Sequence, residues 1–227
     1  WKKPSSTKRG SAASALKHIL CIGTANAKVL VWEGNTLSAE YSLNSNGKVL
    51  GLAPANNGKI YVLSSNDSNI QVIQHGDHKL STSGDALSVF SPKLKGDRVK
   101  LTSIAIWTKE GQEYILLGTD EGSVFVIDSL TKHTVAQLIG HKDDVNKLTV
   151  KGDLLVTSSS SDRFVNVHHL GKILKSAQTK VSRPFKSLQT PAEVGSIDIH
   201  ISSKEVQVLA VCSTGSTLVW AFNEQES

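Results

Sequence analysis

Residues 140–170 read GHKDDVNKLTVKGDLLVTSSSSDRFVNVHHL. A Gly-His pair is followed by an apolar run, a polar turn that carries Asp162, and a second run in which apolar and polar residues alternate. Alternation with period two is the signature of a strand with two unlike faces, so the stretch predicts strand, turn, strand behind a Gly-His entry. An imidazole at that entry can reach a carboxylate in the turn, and the same carboxylate can accept from backbone N–H groups of the hairpin. The expected arrangement is a buried polar relay of His141 and Asp162, with Ser158 or Ser160 as a third member, that holds strand register.

The pattern recurs along the chain. Ile19–Glu33, Ile60–Gln74, Tyr114–Asp128, Leu155–His169 and Leu209–Phe222 align as copies of the same unit. Their equivalent positions Trp32, Ile73, Ile127, His168 and Trp220 are offset by 41, 54, 41 and 52 residues. A period of about 40 to 45 residues with a Gly-His entry is the layout of WD-repeat blades, and the longer offsets call for insertions. Further strands are expected before the copies at Val49–Ala53, Leu101–Trp107, Val145–Val150 and Val194–Ile201, and after them at Leu37–Leu43 and Thr134–Ile139. The fold class that follows is all-β: a WD40-type β-propeller with four antiparallel strands per blade, about five blades visible of an expected seven. The blade units centre near 18–43, 49–80, 99–139, 145–175 and 194–222. Asn46-Gly47, Asn57-Gly58, Glu110-Gly111 and Lys151-Gly152 suit tight hairpin turns, and no amphipathic helix is expected.

Three stretches break the rhythm. A basic insert at 2–17 and two stretches read as long loops, 81–99 and 176–192, show no periodicity. Loops of such length in a compact domain are functional or disordered.

Composition narrows the chemistry. The chain has 227 residues, 25 Lys plus Arg against 20 Asp plus Glu, and a formal net charge of +5, a mildly basic surface compatible with nucleic acid. It begins at Trp1 and contains no Met, which reads as part of a longer polypeptide. The two cysteines, Cys21 and Cys212, sit in apolar strand runs and read as buried thiols of a reducing compartment. No stretch approaches the roughly 20 apolar residues of a membrane span, so a soluble intracellular protein is expected.

No catalytic residue, cofactor or metal is expected. His141, Asp162 and a nearby Ser superficially suggest a hydrolase triad, but no Gly-x-Ser-x-Gly elbow is present. His168 and His169 are adjacent, so on a strand they face opposite sides and cannot jointly hold one metal. Asp143-Asp144 reads as a solvated turn, and the Gly-Ser and Gly-Thr pairs lack the Lys-Ser/Thr ending of a phosphate loop. The functional candidates are basic: Lys2, Lys3, Lys8, Arg9 and Lys17 in the insert, then Lys180, Arg183 and Lys186, with Lys172 and Lys175 nearby. Lys and Arg in such segments neutralise backbone phosphates without reading bases, and K/R clusters also serve as import signals. Aromatic residues are 5% of the chain, too few for extensive base stacking.

Gly140-His141 together with Ser161-Asp162-Arg163-Phe164-Val165-Asn166-Val167 resembles one family in particular. It is the family of the fifth U-three-associated protein, WD-repeat subunits of the small-subunit processome. Cys21-Ile22-Gly23-Thr24 after a basic insert, and Leu209-Ala210-Val211-Cys212 before the turn at Gly215, extend the likeness over most of the chain. His168 and His169 depart from the usual Trp-Asp of such a blade. The resemblance implies a non-catalytic scaffold in nucleus and nucleolus, contacting other WD-repeat subunits and the 5′ external spacer of precursor ribosomal RNA through its backbone. A different class of role, an adaptor for a ubiquitin ligase or a trafficking complex, fits the same repeats.

Overall fold

The computed structural model describes residues 19–55, 58–65, 69–74, 87–90, 99–175, 181–203 and 205–223. Short apolar runs separated by turn residues become strands, and the strands gather into five sheets. Blade one comprises β1 (Ile19–Gly23), β2 (Lys28–Glu33) and β3 (Thr36–Ser42). Blade two comprises β4 (Val49–Pro54), β5 (Lys59–Ser64), β6 (Ile70–Gln74) and β7 (Leu87–Phe90). Blade three is built from β8 (Leu101–Lys109), β9 (Gln112–Thr119), β10 (Val124–Asp128) and β11 (Thr134–Leu138). Next come β12 (Val145–Lys151), β13 (Leu154–Ser159) and β14 (Phe164–His169) of blade four, then helix α1 (Leu170–Lys175), β15 (Val181–Ser182) and β16 (Lys186–Gln189). Blade five holds β17 (Val194–Ile201), β18 (Val206–Cys212) and β19 (Thr217–Phe222).

Within each blade, sequential strands pair antiparallel, and in blades two to four the fourth strand lies on the third. Glu110 and Gly111 connect β8 to β9 with φ of 52° and 80°, the left-handed pair that a two-residue hairpin turn requires. The first strands of successive blades pack on one another, β4 on β8, β8 on β12 and β12 on β17.

The core is a series of sheet-on-sheet layers. Val29 and Val31 of blade one meet Ile60 and Val62 of blade two, and Leu63 and Ile70 meet Ile115 and Leu117 of blade three. Leu116 and Val126 then meet Leu155 of blade four, and Val156 and Val167 meet Val208 and Ala210 of blade five. A middle strand sandwiched between two blades is buried on both faces, which is why β5, β10 and β13 read as continuous apolar or small-residue runs.

Three expectations change. The stretch 81–99 contains β7, the fourth strand of blade two, because its Leu87–Phe90 pairs with Ile70–Ile73. The stretch 176–192 contains two strands: β16 completes blade four, whereas β15 adds a parallel strand to β11 of blade three. Shortness hid all three, since two to four residues are too few for a strand period to emerge. A helix is present as well: α1 is six residues long and buries Leu170 and Gly171.

Glu110 carries the left-handed strain of its turn, a conformation that costs a residue with a Cβ. Replacing Glu110→Asn, a residue that tolerates this conformation, is expected to stabilise the protein by roughly 0.5–1 kcal/mol, read as a shifted urea midpoint at unchanged slope.

Candidate functional site: the blade-four relay and the basic rim

Blade four presents two unlike faces. Cross-strand pairing sets Thr157 opposite Asn166 and Leu155 opposite His168. Leu155 packs toward blade three while Val156, Val165 and Val167 pack toward blade five, so Thr157, Asn166 and His168 also lie on the face toward blade three. The Gly-His entry sits in the loop between β11 and β12 and delivers its imidazole onto that face.

His141 Nδ1 lies 2.8 Å from Asp162 Oδ2, and Nε2 lies 2.8 Å from Thr157 Oγ1. The His141 and Asp162 side chains are 2% and 4% exposed, so the group is sealed from water. Burial pushes the imidazole pKa down further than the neighbouring Asp162 carboxylate raises it, and the ring is neutral at physiological pH. A neutral ring has one donor and one acceptor: Nδ1–H donates to Asp162, and the Thr157 hydroxyl donates to Nε2. Asp162 Oδ2 also accepts from the Lys142 N–H at 3.1 Å, and Oδ1 from the Phe164 N–H at 3.0 Å. One carboxylate thereby ties the loop entering blade four to the turn between β13 and β14.

The third member of the relay is Thr157 and not Ser158 or Ser160. Ser158 Oγ bonds Asn146 Oδ1 at 3.1 Å, on the other face of the strand, and Ser160 Oγ bonds the Asp144 carboxylate. Ser161 Oγ bonds Asp143, whose carboxyl is held below the ordinary carboxylate range mainly by that hydroxyl. Asp143 and Asp144 are therefore part of a loop-to-turn clamp. Thr157 is fully buried, so its hydroxyl is a lock and not a nucleophile within reach of substrate. A run of four serines after Thr157 leaves face assignment undetermined in one dimension; the register with β14 decides it.

Gly140 precedes this imidazole with φ of 152°, and a Cβ there would lie 2.9 Å from Pro184 Cδ and 3.0 Å from Asn166 Nδ2. Pro184, between β15 and β16, thus closes over the Gly-His entry, a contact without a sequence signal at this separation. Two buried polar side chains lie under it. Neither amide atom of Asn166 has a hydrogen-bond partner among the described residues, nor does His168 Nδ1. Burial, aided by nearby His141, pushes the His168 pKa down to about 3.

The basic candidates separate. Lys2, Lys3, Lys8, Arg9, Lys17 and Lys180 lie outside the described residues. Arg183, Lys172 and Lys175 are exposed on the connection from β14 to β16. Lys186 is half-buried, with Nζ 4.8 Å from the centroid of the Phe222 ring, and Phe185 meets the same ring edge-on at 6.0 Å. Lys186 clamps blade four to blade five, a role that its place in a basic cluster concealed. Among the described residues, no cluster of three or more His, Cys, Asp or Glu is placed to hold a metal ion.

No family model and no curated protein matches the chain. Solved structures do. The computationally designed Ika8 protein superposes at a TM-score of 0.60 with 18% identity, covering 90% of this chain and 55% of that one. The WD40 beta propeller domain of Doa1 gives 0.66 with 15% identity, covering 92% and 62%. A chain of the Mitotic Checkpoint Complex gives 0.67 with 14% identity, covering 91% and 60%. At such identities the likeness establishes the fold, a WD40-type β-propeller, and the chain spans 55 to 62% of the length of these structures' chains.

Thr157→Val, which leaves His141 Nε2 buried without a partner, is expected to cost about 1–3 kcal/mol, against less than about 1 kcal/mol for Ser158→Ala, in parallel denaturant titrations. The histidines also set an acid limit. An unfolded histidine titrates near 6.5, whereas His168 in the fold stays neutral down to about 3, so the unfolded chain binds more protons between those values. The stability is complete above about pH 6.5 and falls as pH drops, by roughly tenfold in the folding constant per pH unit for this group. Unfolding midpoints from pH 7 to pH 4 should show a shallower acid slope in His168→Leu than in the native protein.

Proposed function

We propose that this protein is a non-catalytic scaffold subunit of the small-subunit processome, the early U-three ribonucleoprotein subcomplex that supports pre-rRNA transcription, processing and small-subunit assembly. The coarser part of the reading, a protein-interaction scaffold, is supported by the WD40 propeller fold. The finer part is carried by one observation: the residues that set the family-like strand apart from a generic blade have structural work of their own. Arg163 occupies a left-handed turn position with φ of 59°, where glycine costs nothing, and its carbonyl accepts from the Thr190 N–H at 2.9 Å. Asn166 sits fully buried beneath Pro184 and Gly140. An Asp-Arg-aliphatic-aliphatic-Asn strand behind a Gly-His entry is thus a specified local structure, which supports the family likeness.

In this reading blade faces and edges dock neighbouring WD-repeat subunits, and the basic segments meet precursor RNA along its phosphate backbone. Linked weak contacts then add through geometry. Lys2, Lys3, Lys8, Arg9, Lys17, Lys180 and Arg183 are the phosphate candidates; Lys186, held over the Phe222 ring, is the weaker one. The nucleolus is the compartment where this work takes place.

Affinity purification of the full-length protein, with mass spectrometry and RNA crosslinking, is expected to recover other WD-repeat subunits together with 5′ spacer RNA. Recovery of a cullin or a vesicle coat without RNA would instead assign an adaptor role and defeat the processome reading. Replacing Lys2, Lys3, Lys8 and Arg9 by Ala is expected to weaken RNA retention and flatten its salt dependence at an unchanged melting temperature; an unaltered salt slope removes that insert from the interface.

A further inference from the structure

The polar side chains on the face of blade four that meets blade three fall into two groups. His141 and Thr157 bond each other, and His141 bonds Asp162. Asn166 and His168 share that face and are 0% and 2% exposed, yet both amide atoms of Asn166 and Nδ1 of His168 lie in the interior without a partner among the described residues. Reversing the Asn166 amide changes nothing, because its oxygen and its nitrogen are equally unmatched.

The surroundings offer these atoms little. β14 runs between β13 and β16, so the backbone groups beside Asn166 are taken up by the two ladders. The other side chains of the layer, Leu116, Val126 and Leu138 of blade three with Leu155, neither donate nor accept. A Cβ on Gly140 would lie 3.0 Å from Asn166 Nδ2, so glycine at that position keeps the approach to the amide open. Asn166 and His168 are two residues apart on one strand, so their side chains leave the same face about 6.6 Å from each other. One hydrogen bond covers about 3 Å, whereas two bonds that share a water oxygen cover about 5–6 Å.

We propose that one internal water molecule bridges the Asn166 amide and His168 Nδ1 and is a constitutive part of blade four. Water fits the chemistry of the site. Asn166 presents both donors and an acceptor, and burial keeps the His168 ring neutral, so the occupant has to donate, accept and carry no charge. A cation would meet the amide hydrogens and an anion the amide oxygen, each buried without an opposite charge, since the Asp162 carboxylate is already engaged by His141 and two N–H groups. A buried water held by otherwise unmatched polar groups is a regular component of protein interiors. This water is independent of the scaffold reading, which stands or falls on other measurements.

The test is magnetic relaxation dispersion of the water oxygen in solutions of the full chain, whose amplitude counts water molecules held inside the protein. Asn166→Leu and His168→Leu should each lose the same step, one molecule, relative to the native protein. The double variant should lose no more than either, because both residues hold the same molecule. An unchanged amplitude in either single variant, or a double variant that loses twice the step, overturns the bridge. A variant at a buried site can fail to fold, so the native protein is read as well. Its Asn166 side-chain amide protons should show a nuclear Overhauser cross-peak to water with the sign of a long-lived bound molecule. No such cross-peak, or a through-bond coupling between that amide and the His168 ring, assigns a direct contact between the two side chains and overturns the proposal.

Discussion

The Asp162 carboxylate is the point at which blade four is fastened. Two backbone N–H groups and one imidazole converge on it, from a loop and a turn about twenty residues apart in sequence. A buried carboxylate is stable only when donors replace the water it has lost, so each of the three groups is held by the others' presence. The consequence spreads outward: with His141 fixed, Gly140 is brought beneath Pro184, which lies between β15, the strand added to blade three, and β16, the strand that completes blade four.

Apolar burial between blades provides the bulk of the cohesion, and the polar face of blade four works against it. Thr157, Asn166 and His168 share that face with Leu155, inside a layer otherwise made of valine, leucine and isoleucine. His168 remains there as a neutral ring because the apolar neighbours and His141 both disfavour its charge. The two ends of the blades differ accordingly. At one end carboxylates and hydroxyls are spent on one another, Asp143 with Ser161 and Asp144 with Ser160, and hold loops still. At the other, hairpin turns leave clefts and a projecting leucine.

Much of the fold was legible in one dimension, because a propeller is built from local hairpins. Apolar alternation and the Glu110-Gly111 turn are nearest-neighbour signals, and the recurrence of Trp32, Ile73, Ile127, His168 and Trp220 is a spacing read directly along the chain. The strands that went unread, β7, β15 and β16, are short edge strands whose partners are supplied by distant sequence. The helix α1 was equally silent, since six residues are too few for a helical period to emerge.

The candidate site divides along the same line. The sequence by itself determined that His141 and Asp162 stand at the two ends of one hairpin unit, and that lysine and arginine gather in the inserts, because both are matters of residue type and spacing. Only the tertiary structure decided that Thr157 takes the third place in the relay, that Pro184 covers Gly140, and that Lys186 serves Phe222. The reason is physical. Which face a strand residue takes depends on a register set by cross-strand pairing, and which cation is already engaged depends on contacts between blades that no local spacing records.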